Sequence, residues 1–441
     1  MSKFLLESEY SFASEEITNF LNKGKKDITL CIKKGDSIYF PYSFRISDDF
    51  DESYFYVKKI ILTLMWMVGG DCLCYKGPSD FFFYLLERLK KDDEFISSTK
   101  EMEGIFDSHF RIEFTDLDLI KKEELTPFGS SFSMCRIGLD LGGSDRKVSA
   151  TIDGKVVFSE ETIWDPKNQK DYKYHEQGIL DSLLKAKSHL PRVDAIGIST
   201  SGVVIDNYLK FPALYKDVPR EDLVKHVHSV FIDIMDKYFP NVPYSIANDG
   251  DVSAIGGSLL FNKDNVLGLA LGTSFAAGYA SNGYLNNFIN ELSKVPINFS
   301  SEARSHYILG IKGASSEYLS QKGIVLLLEK AGMQFEGKSF PEKLVEIQNL
   351  AKKGNKMVLD AYHDLGLYLG DAIYYFSFFM KISSVLLLGR VLTGIGGEII
   401  KEVASSYLKE KGSDIEVFTP DESFKRLGQS YIATCLPKIA N

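Results

Sequence analysis

The feature that most constrains this chain is a strand–turn–strand–turn–strand pattern that occurs twice. The first copy is Arg136–Val157. An apolar alternation, Ile137-Gly138-Leu139, ends in Asp140 and is followed by the turn Gly142-Gly143-Ser144. Val148, Ala150 and Ile152 alternate next, and Asp153-Gly154 leads into a third strand from Lys155. Asp-Gly between alternating apolar residues is a strong hairpin signal. The first turn differs in kind. Its two glycines leave backbone N–H groups bare beside a carboxylate, so a phosphate fits there and Asp140 can orient a metal or its water. A plain β-meander with a glycine-rich bend explains one copy equally well. The second copy, Val266–Leu271, Gly272-Thr273-Ser274, Ala276–Ala280, Asn282-Gly283 and Tyr284-Leu285, begins about 130 residues later, which signals two similar halves rather than a solenoid. Two such turns suit a nucleotide whose phosphates take donors from both sides.

A chain of 441 residues is too long for one core and predicts two to three domains. With 44% hydrophobic and 25% charged residues it has the composition of a soluble globular protein. A net charge of −9 argues against nucleic acid as a main partner. The five cysteines, at 31, 72, 74, 135 and 435, form no disulfide framework and fit a reducing compartment. The start, MSKFLLESEY, lacks the apolar core of a signal peptide, and no apolar run is long and unbroken enough to span a bilayer. These features predict a cytoplasmic protein with no membrane partner.

Residues 1–130 read as an α+β segment of their own. Helices are predicted at Ser14–Lys23, Tyr54–Val68 and Asp80–Lys91, a hairpin around Gly35-Asp36, and strands at Cys72–Tyr75 and Arg111–Phe114. Acidic residues outnumber basic ones here and there is no basic recognition helix, which disfavours a DNA-binding head. Cys72 and Cys74 share one face of their strand. With no further Cys or His at ligand spacing, they read as small core residues rather than metal ligands. The boundary falls at Ser130–Arg136, giving segments 1–130, 131–262 and 263–441.

In the first half, a helix at Tyr174–His189 precedes a buried strand, Val193–Ser199, which ends in Thr200-Ser201-Gly202. A hydroxyl-rich turn at a strand's C-terminal end is where open α/β sheets bind ligands; it is also an ordinary polar loop. Arg220–Tyr238 reads as one amphipathic helix. A short strand from Tyr244 then runs into Asn248-Asp249-Gly250-Asp251 and a small-residue helix. A helix N-cap accounts for one of these side chains. A carboxylate at such a corner also suits a general base that deprotonates a hydroxyl attacking a phosphoryl group.

In the second half, Glu291 can accept hydrogen bonds from substrate hydroxyls or lie solvated at the surface. Helices are predicted at Ser316–Ala331, Pro341–Lys352 and Lys356–Phe379. The buried strand Ser384–Leu388 feeds a turn containing Gly389 and Gly394, with a helix from about Glu398, suited to nucleoside or phosphate binding or to close helix–sheet packing. Gly332–Ser339 matches the expression GxxxxGK[ST], but a helical pattern precedes it and Pro341 starts the next helix, so it is not a P-loop.

The order of these motifs resembles the ROK family of sugar kinases and regulators, over about residues 135–440. Asp140–Ser144 is similar to that family's first phosphate motif, and Leu271–Ser274 to the second. Ala247–Gly256 is similar to the sugar-and-base motif, Asn290–Lys294 to Gly-Glu-x-Gly-His, and Val385–Gly397 to the adenosine motif. The resemblance implies an α/β, duplicated actin-like (ribonuclease H-like) two-lobed ATPase fold after the N-terminal α+β region. It implies ATP- and Mg²⁺-dependent, glucokinase-like phosphorylation of a sugar hydroxyl. Asp249 is then the base, and Asn248, Glu291, Ser201 and Gly202 are at the sugar. Asp140 works with Mg²⁺, Gly142, Gly143, Ser144, Gly272 and Thr273 line the phosphates, and Gly389 and Gly394 sit at the nucleoside. The family tendency implies a homodimer.

The chain departs from the family at several points. The cysteine-rich zinc loop is missing from Gly313–Ser320, the usual His is Lys294, and the usual Asn after Pro212 is Ala213. No structural zinc is expected there, and sugar recognition is altered. Two other readings stand beside the kinase: a non-catalytic sugar-binding regulator of the same fold, and an actin-like phosphotransferase or ATPase with a non-sugar acceptor.

Overall fold

A computed structural model describes residues 3–129, 131–420 and 422–439. Both hairpin units form. In the first, Cys135–Leu141 pairs antiparallel with Asp145–Ile152, which pairs with Lys155–Ile163. The Asp-Gly and Asn-Gly turns carry left-handed conformations at both residues: φ is 47° and 78° at Asp153 and Gly154, and 51° and 80° at Asn282 and Gly283. That is the type I′ turn, whose twist matches the flanking strands.

The two large sheets repeat one strand order. The first runs Tyr244–Asn248, Ala195–Thr200, Cys135–Leu141, Asp145–Ile152, Lys155–Ile163. The second runs Glu416–Phe418, Ser384–Leu388, Val266–Leu271, Phe275–Ser281, Tyr284–Leu285, with Thr126–Pro127 added at its end. In each, the two later strands of the sheet lie on one side of its opening hairpin. This is the duplicated actin-like α/β fold, and it follows from two sequence halves with the same pattern.

The chain divides into two compact units that are not consecutive segments. One comprises Met1–Glu124, Ala270–Ala276 and Asn287–Thr419; the other comprises Leu125–Leu269, Ala277–Asn286 and Pro420–Asn441. Ser130, where the sequence boundary falls, lies outside the described residues. The second unit is built on a core that includes Ile137, Leu139, Ile179, Leu183, Ile198 and Phe231. Two strand glycines let the C-terminal helix Glu422–Ala433 lie against the sheet. A Cβ on Gly138 would fall 1.8 Å from the Ser430 carbonyl oxygen, and one on Gly197 1.7 Å from that of Ala433.

In the first unit, residues 3–124 form a four-stranded sheet, Ile38–Ile46, Lys26–Lys34, Cys72–Lys76, Arg111–Phe114, with the buried helix Phe50–Met67. This N-terminal portion is tied to the later helices by buried carboxylates. Asp371 accepts from the Ala13 amide at 2.9 Å and the Tyr407 hydroxyl at 3.0 Å. Asp364 accepts from the amides of Leu5 and Leu6, each at 2.8 Å. Glu7 pairs with Arg304 and Lys330, both at 3.3 Å. Removing one of these donors would leave a buried polar group uncompensated.

Three helices differ from their sequence reading. Arg220–Tyr238 is not continuous: a π-helical turn, Leu223–Val227, precedes Val230–Tyr238. The His228 carbonyl leaves the helix ladder to accept from the Leu209 amide at 3.0 Å. Ser316–Ala331 becomes a 3-10 turn and a helix, Gln321–Lys330, capped by Ser320. The last glycine turn opens its helix earlier than Glu398, at Ile395. At the GxxxxGKS sequence, Ser339 forms a capping box with Glu342 for Phe340–Lys352, so a helix cap replaces a phosphate loop. Among the described residues no helix is long and apolar enough to cross a membrane.

Candidate functional site

The strand Tyr244–Asn248 ends at the first residue of the helix Asp249–Phe261. Asn248 caps that helix, its Oδ1 accepting from the Gly250 amide at 2.7 Å, while its Nδ2 donates to the Gly202 carbonyl at 2.7 Å. Both ends of this amide therefore hold structure, fixing the Ser201-Gly202 turn against the corner. Gly202 has φ of 112°, and a Cβ there would lie 1.9 Å from the Phe211 carbonyl oxygen. The small residues of the helix permit close approach: a Cβ on Gly250 would meet Ala277 at 2.1 Å. The result is a partly exposed Asp249 in the first turn of a helix, where the helix dipole favours the carboxylate.

The first glycine turn is closed by the Gly142 amide, which donates to the Asp145 carbonyl at 2.9 Å, and by the Trp164 indole, which donates to the Gly142 carbonyl at 2.8 Å. Ser144 lies in the same turn, its carbonyl accepting from the Trp164 amide at 3.1 Å. Asp140 is buried beside it and accepts from the Ser199 hydroxyl at 2.8 Å. Burial pushes its carboxyl up to about 6, against the hydrogen bond from Ser199 and the charge of Lys147.

Lys167, on the short 3-10 turn Pro166–Asn168, was not singled out from the sequence. A Cβ on Gly143 would lie 3.5 Å from its Nζ. Burial lowers the Lys167 ammonium, and the charge of Asp249 opposes that shift. It makes no hydrogen bond or ion pair among the described residues. A buried cation thus stands beside the glycine turn and feels the carboxylate at the helix corner. Nothing in the pattern Trp-Asp-Pro-Lys marks it, because its place depends on how the third strand leads into the next helix.

The other unit carries the remaining candidates. The Gly272 amide donates to the Ser274 carbonyl at 3.0 Å, and its carbonyl accepts from the Gln321 amide at 2.9 Å. Thr273 is exposed at the tip. Among the described residues the buried Gln321 side chain has no hydrogen-bond partner at either end, an unsatisfied polar group beside the turn. Gly389 has φ of 108° and approaches the backbone of Leu271, where a Cβ would lie 2.3 Å from the carbonyl oxygen; strand packing accounts for it. Gly394, with φ of 71°, has open space around it at the start of the helix Ile395–Glu410.

Glu291 does not stand as a solvated carboxylate. It pairs with Lys294 and accepts from the Ser293 hydroxyl at 3.0 Å. Its loop is clamped by the N-terminal helix: the amides of Ile289 and Asn290 donate to the carbonyls of Val68 and Met67, at 3.1 and 3.0 Å. Nearby His306 is pushed down to about 4 by burial and by the charges of Lys294 and Lys322.

No family model matches the chain, and no curated protein matches it. Solved structures do. A ROK hexokinase from Thermus thermophilus superposes with TM-score 0.52 at 15% identity, covering 69% of this chain and 97% of that one. A ROK family glucokinase from Streptomyces griseus, solved with glucose and AMPPNP, gives 0.51 at 16%, covering 68% and 98%. A ROK family transcriptional regulator, a homologue of the E. coli MLC protein, gives 0.55 at 19%, covering 69% and 79%. Over the 68–69% of this chain that they cover, its fold is the fold of these ROK structures.

Proposed function

We propose that the protein is an ATP-dependent kinase that phosphorylates a sugar or sugar-like hydroxyl, with Asp249 as the general base. The observation that carries this reading is Lys167, placed beside Gly143 and electrostatically coupled to Asp249. Phosphoryl transfer needs a base at the attacking hydroxyl and positive charge at the moving phosphoryl group, and little else in covalent chemistry. Asp249 takes the hydroxyl proton. Lys167 and the amides of Gly143 and Ser144 meet the phosphate oxygens, in a turn that the Gly142 amide closes. Thr273 and Gly394 offer the same kind of bare backbone for the nucleotide, Gly272 shapes the turn that carries Thr273, and Gln321 offers an amide. Ser201, Gly202 and Glu291 are assigned to the sugar, and Asn248 acts by fixing the corner. The oxygen donors Asp140 and Ser199 fit Mg²⁺, which prefers carboxylate and water ligands and would neutralise the phosphates when bound. A cation there would also bring the raised Asp140 carboxyl down.

The Lys294–Glu291 pair favours a second reading, a sugar-binding regulator of the same fold, because it occupies the carboxylate assigned to sugar hydroxyls. The deciding experiment is ADP release from MgATP with hexoses, N-acetylated hexosamines and polyols as acceptors. Acceptor-dependent turnover supports the kinase. A sugar that raises the melting temperature without any turnover supports the regulator.

A further inference from the structure

The outer face of the N-terminal sheet gathers three thiols that are far apart in sequence. Side chains alternate along a strand, so Cys31 and Lys33 share one face of Lys26–Lys34, and Cys72 and Cys74 one face of theirs. The register sets Cys31 opposite Cys74 and Lys33 opposite Cys72, with Glu113 beside Cys74 on the next strand. All three cysteines have no exposed surface, and Tyr39 and Leu119 pack against them. Leu119 belongs to a strap, residues 115–124, that crosses this face. The Lys122 and Tyr39 backbones exchange hydrogen bonds of 2.9 and 2.8 Å, and Lys76 pairs with Asp118 at 2.6 Å.

The Sγ atoms of Cys72 and Cys74 are 3.7 Å apart, and Cys74 Sγ is 3.7 Å from Glu113 Oε2. The three ligand atoms lie within 4.8 Å of one another. A tetrahedral zinc ion with Zn–S bonds of about 2.3 Å has an S–S edge of about 3.8 Å. We propose that Cys72, Cys74 and Glu113 form a site for a thiophilic divalent cation, zinc, with water in the fourth position on the open side of Glu113. Binding releases the proton of each thiol as a Zn–S bond forms, and nothing is oxidised. Two thiolates and a carboxylate carry three negative charges. Zn²⁺ and Lys33, whose Nζ is 3.6 Å from Glu113 Oε2, balance them. Arg111, at 3.3 Å from Glu113 Oε1, orients the carboxylate from outside. The sequence spacing hid the third ligand, because Glu113 arrives only through the parallel pairing of Arg111–Phe114. Such a site pins the sheet beneath its strap.

The test uses the full-length protein, reduced, stripped with a chelator and desalted. Zinc is titrated against a chromophoric chelator, and cobalt is added separately to read the thiolate-to-metal band in the near ultraviolet. One equivalent of zinc, a cobalt band of two-thiolate intensity, and its loss in Cys72→Ser and Cys74→Ser are expected. Glu113→Gln should weaken zinc by more than the ~100-fold that loss of an outer partner costs. Cys135→Ser and Cys435→Ser should change nothing. Cobalt bound by the wild type without a thiolate band, or zinc stoichiometry unchanged in a folded Cys72→Ser/Cys74→Ser double variant, overturns the proposal. The wild-type cobalt spectrum decides even if a serine variant fails to fold.

Discussion

The Lys294 ammonium lies over the indole of Trp66, 5.1 Å from the ring centroid, while pairing with Glu291. Trp66 is the penultimate residue of the helix Phe50–Met67, and the carbonyls that follow it hold the Glu291 loop. The N-terminal region therefore holds the Glu291 loop, which the proposed kinase assigns to the acceptor. Trp66→Phe keeps an aromatic ring but weakens the cation–π contact by about 0.5–1 kcal/mol. On the kinase reading, the acceptor KM should rise about two- to fivefold with kcat within twofold, since the contact is made to bound substrate and transition state alike. Steady-state kinetics at saturating ATP check this; a fall in kcat alone would place the corner elsewhere.

Lys167→Met removes a cation that has no hydrogen-bond or ion-pair partner among the described residues. The fold loses nothing it uses, so the melting temperature should hold or rise. Turnover should fall about 100-fold or more, the cost of removing one donor from developing transition-state charge. Lys167→Arg should restore part of it. Unchanged kcat in the Met variant would remove Lys167 from the phosphates.

Asp371 gives a pH prediction. Burial pushes its carboxyl up to about 7, against hydrogen bonds from Ser14, Tyr407 and Ala13. The folded state thus binds this proton more tightly than the unfolded chain, whose value is 3.8. The stability contribution is complete below the unfolded value and is lost as pH rises through the folded one. Wild-type stability relative to Asp371→Asn should fall by about 1.4 kcal/mol per pH unit within that window and level off above pH ~7. Urea unfolding at several pH values measures it, and parallel curves for the two proteins would refute it.

Gly138→Ala and Gly197→Ala should each destabilise by about 1–3 kcal/mol or more, because the added methyl meets the backbone of the C-terminal helix rather than a movable side chain. The Cβ distances of 1.8 and 1.7 Å leave no room without displacing that helix. Gly283→Ala, with open space but φ of 80°, should cost less. Chemical denaturation ranks the three.

The duplicated sheet was legible because its signals are local. Asp153-Gly154 and Asn282-Gly283 demand one turn type, and Ile137–Leu141 and Val266–Leu271 read as strands by their alternation or apolar run. The Asn248-Asp249 corner was legible for the same reason. What escaped was set by distant pairing. Lys167 reaches Gly143 only through the third strand. Glu291 is occupied by a lysine three residues on and braced by a helix more than two hundred residues earlier in the sequence. Gly389 read as a nucleoside contact or a packing glycine, and its close approach to the backbone of Leu271 fits the second. Cys72 and Cys74 are the buried core residues that their strand pattern predicted, but Glu113 came beside Cys74 only through the parallel pairing of the next strand.

The most direct test of Asp249 as the base is acceptor-dependent ADP release by wild type and Asp249→Asn side by side, with binding of a non-hydrolysable ATP analogue measured on both. The account predicts turnover by the wild type and a loss of about 10²–10⁴-fold in the variant, the contribution of a positioned general base, with analogue binding unchanged. Turnover in Asp249→Asn equal to that of the wild type would contradict it.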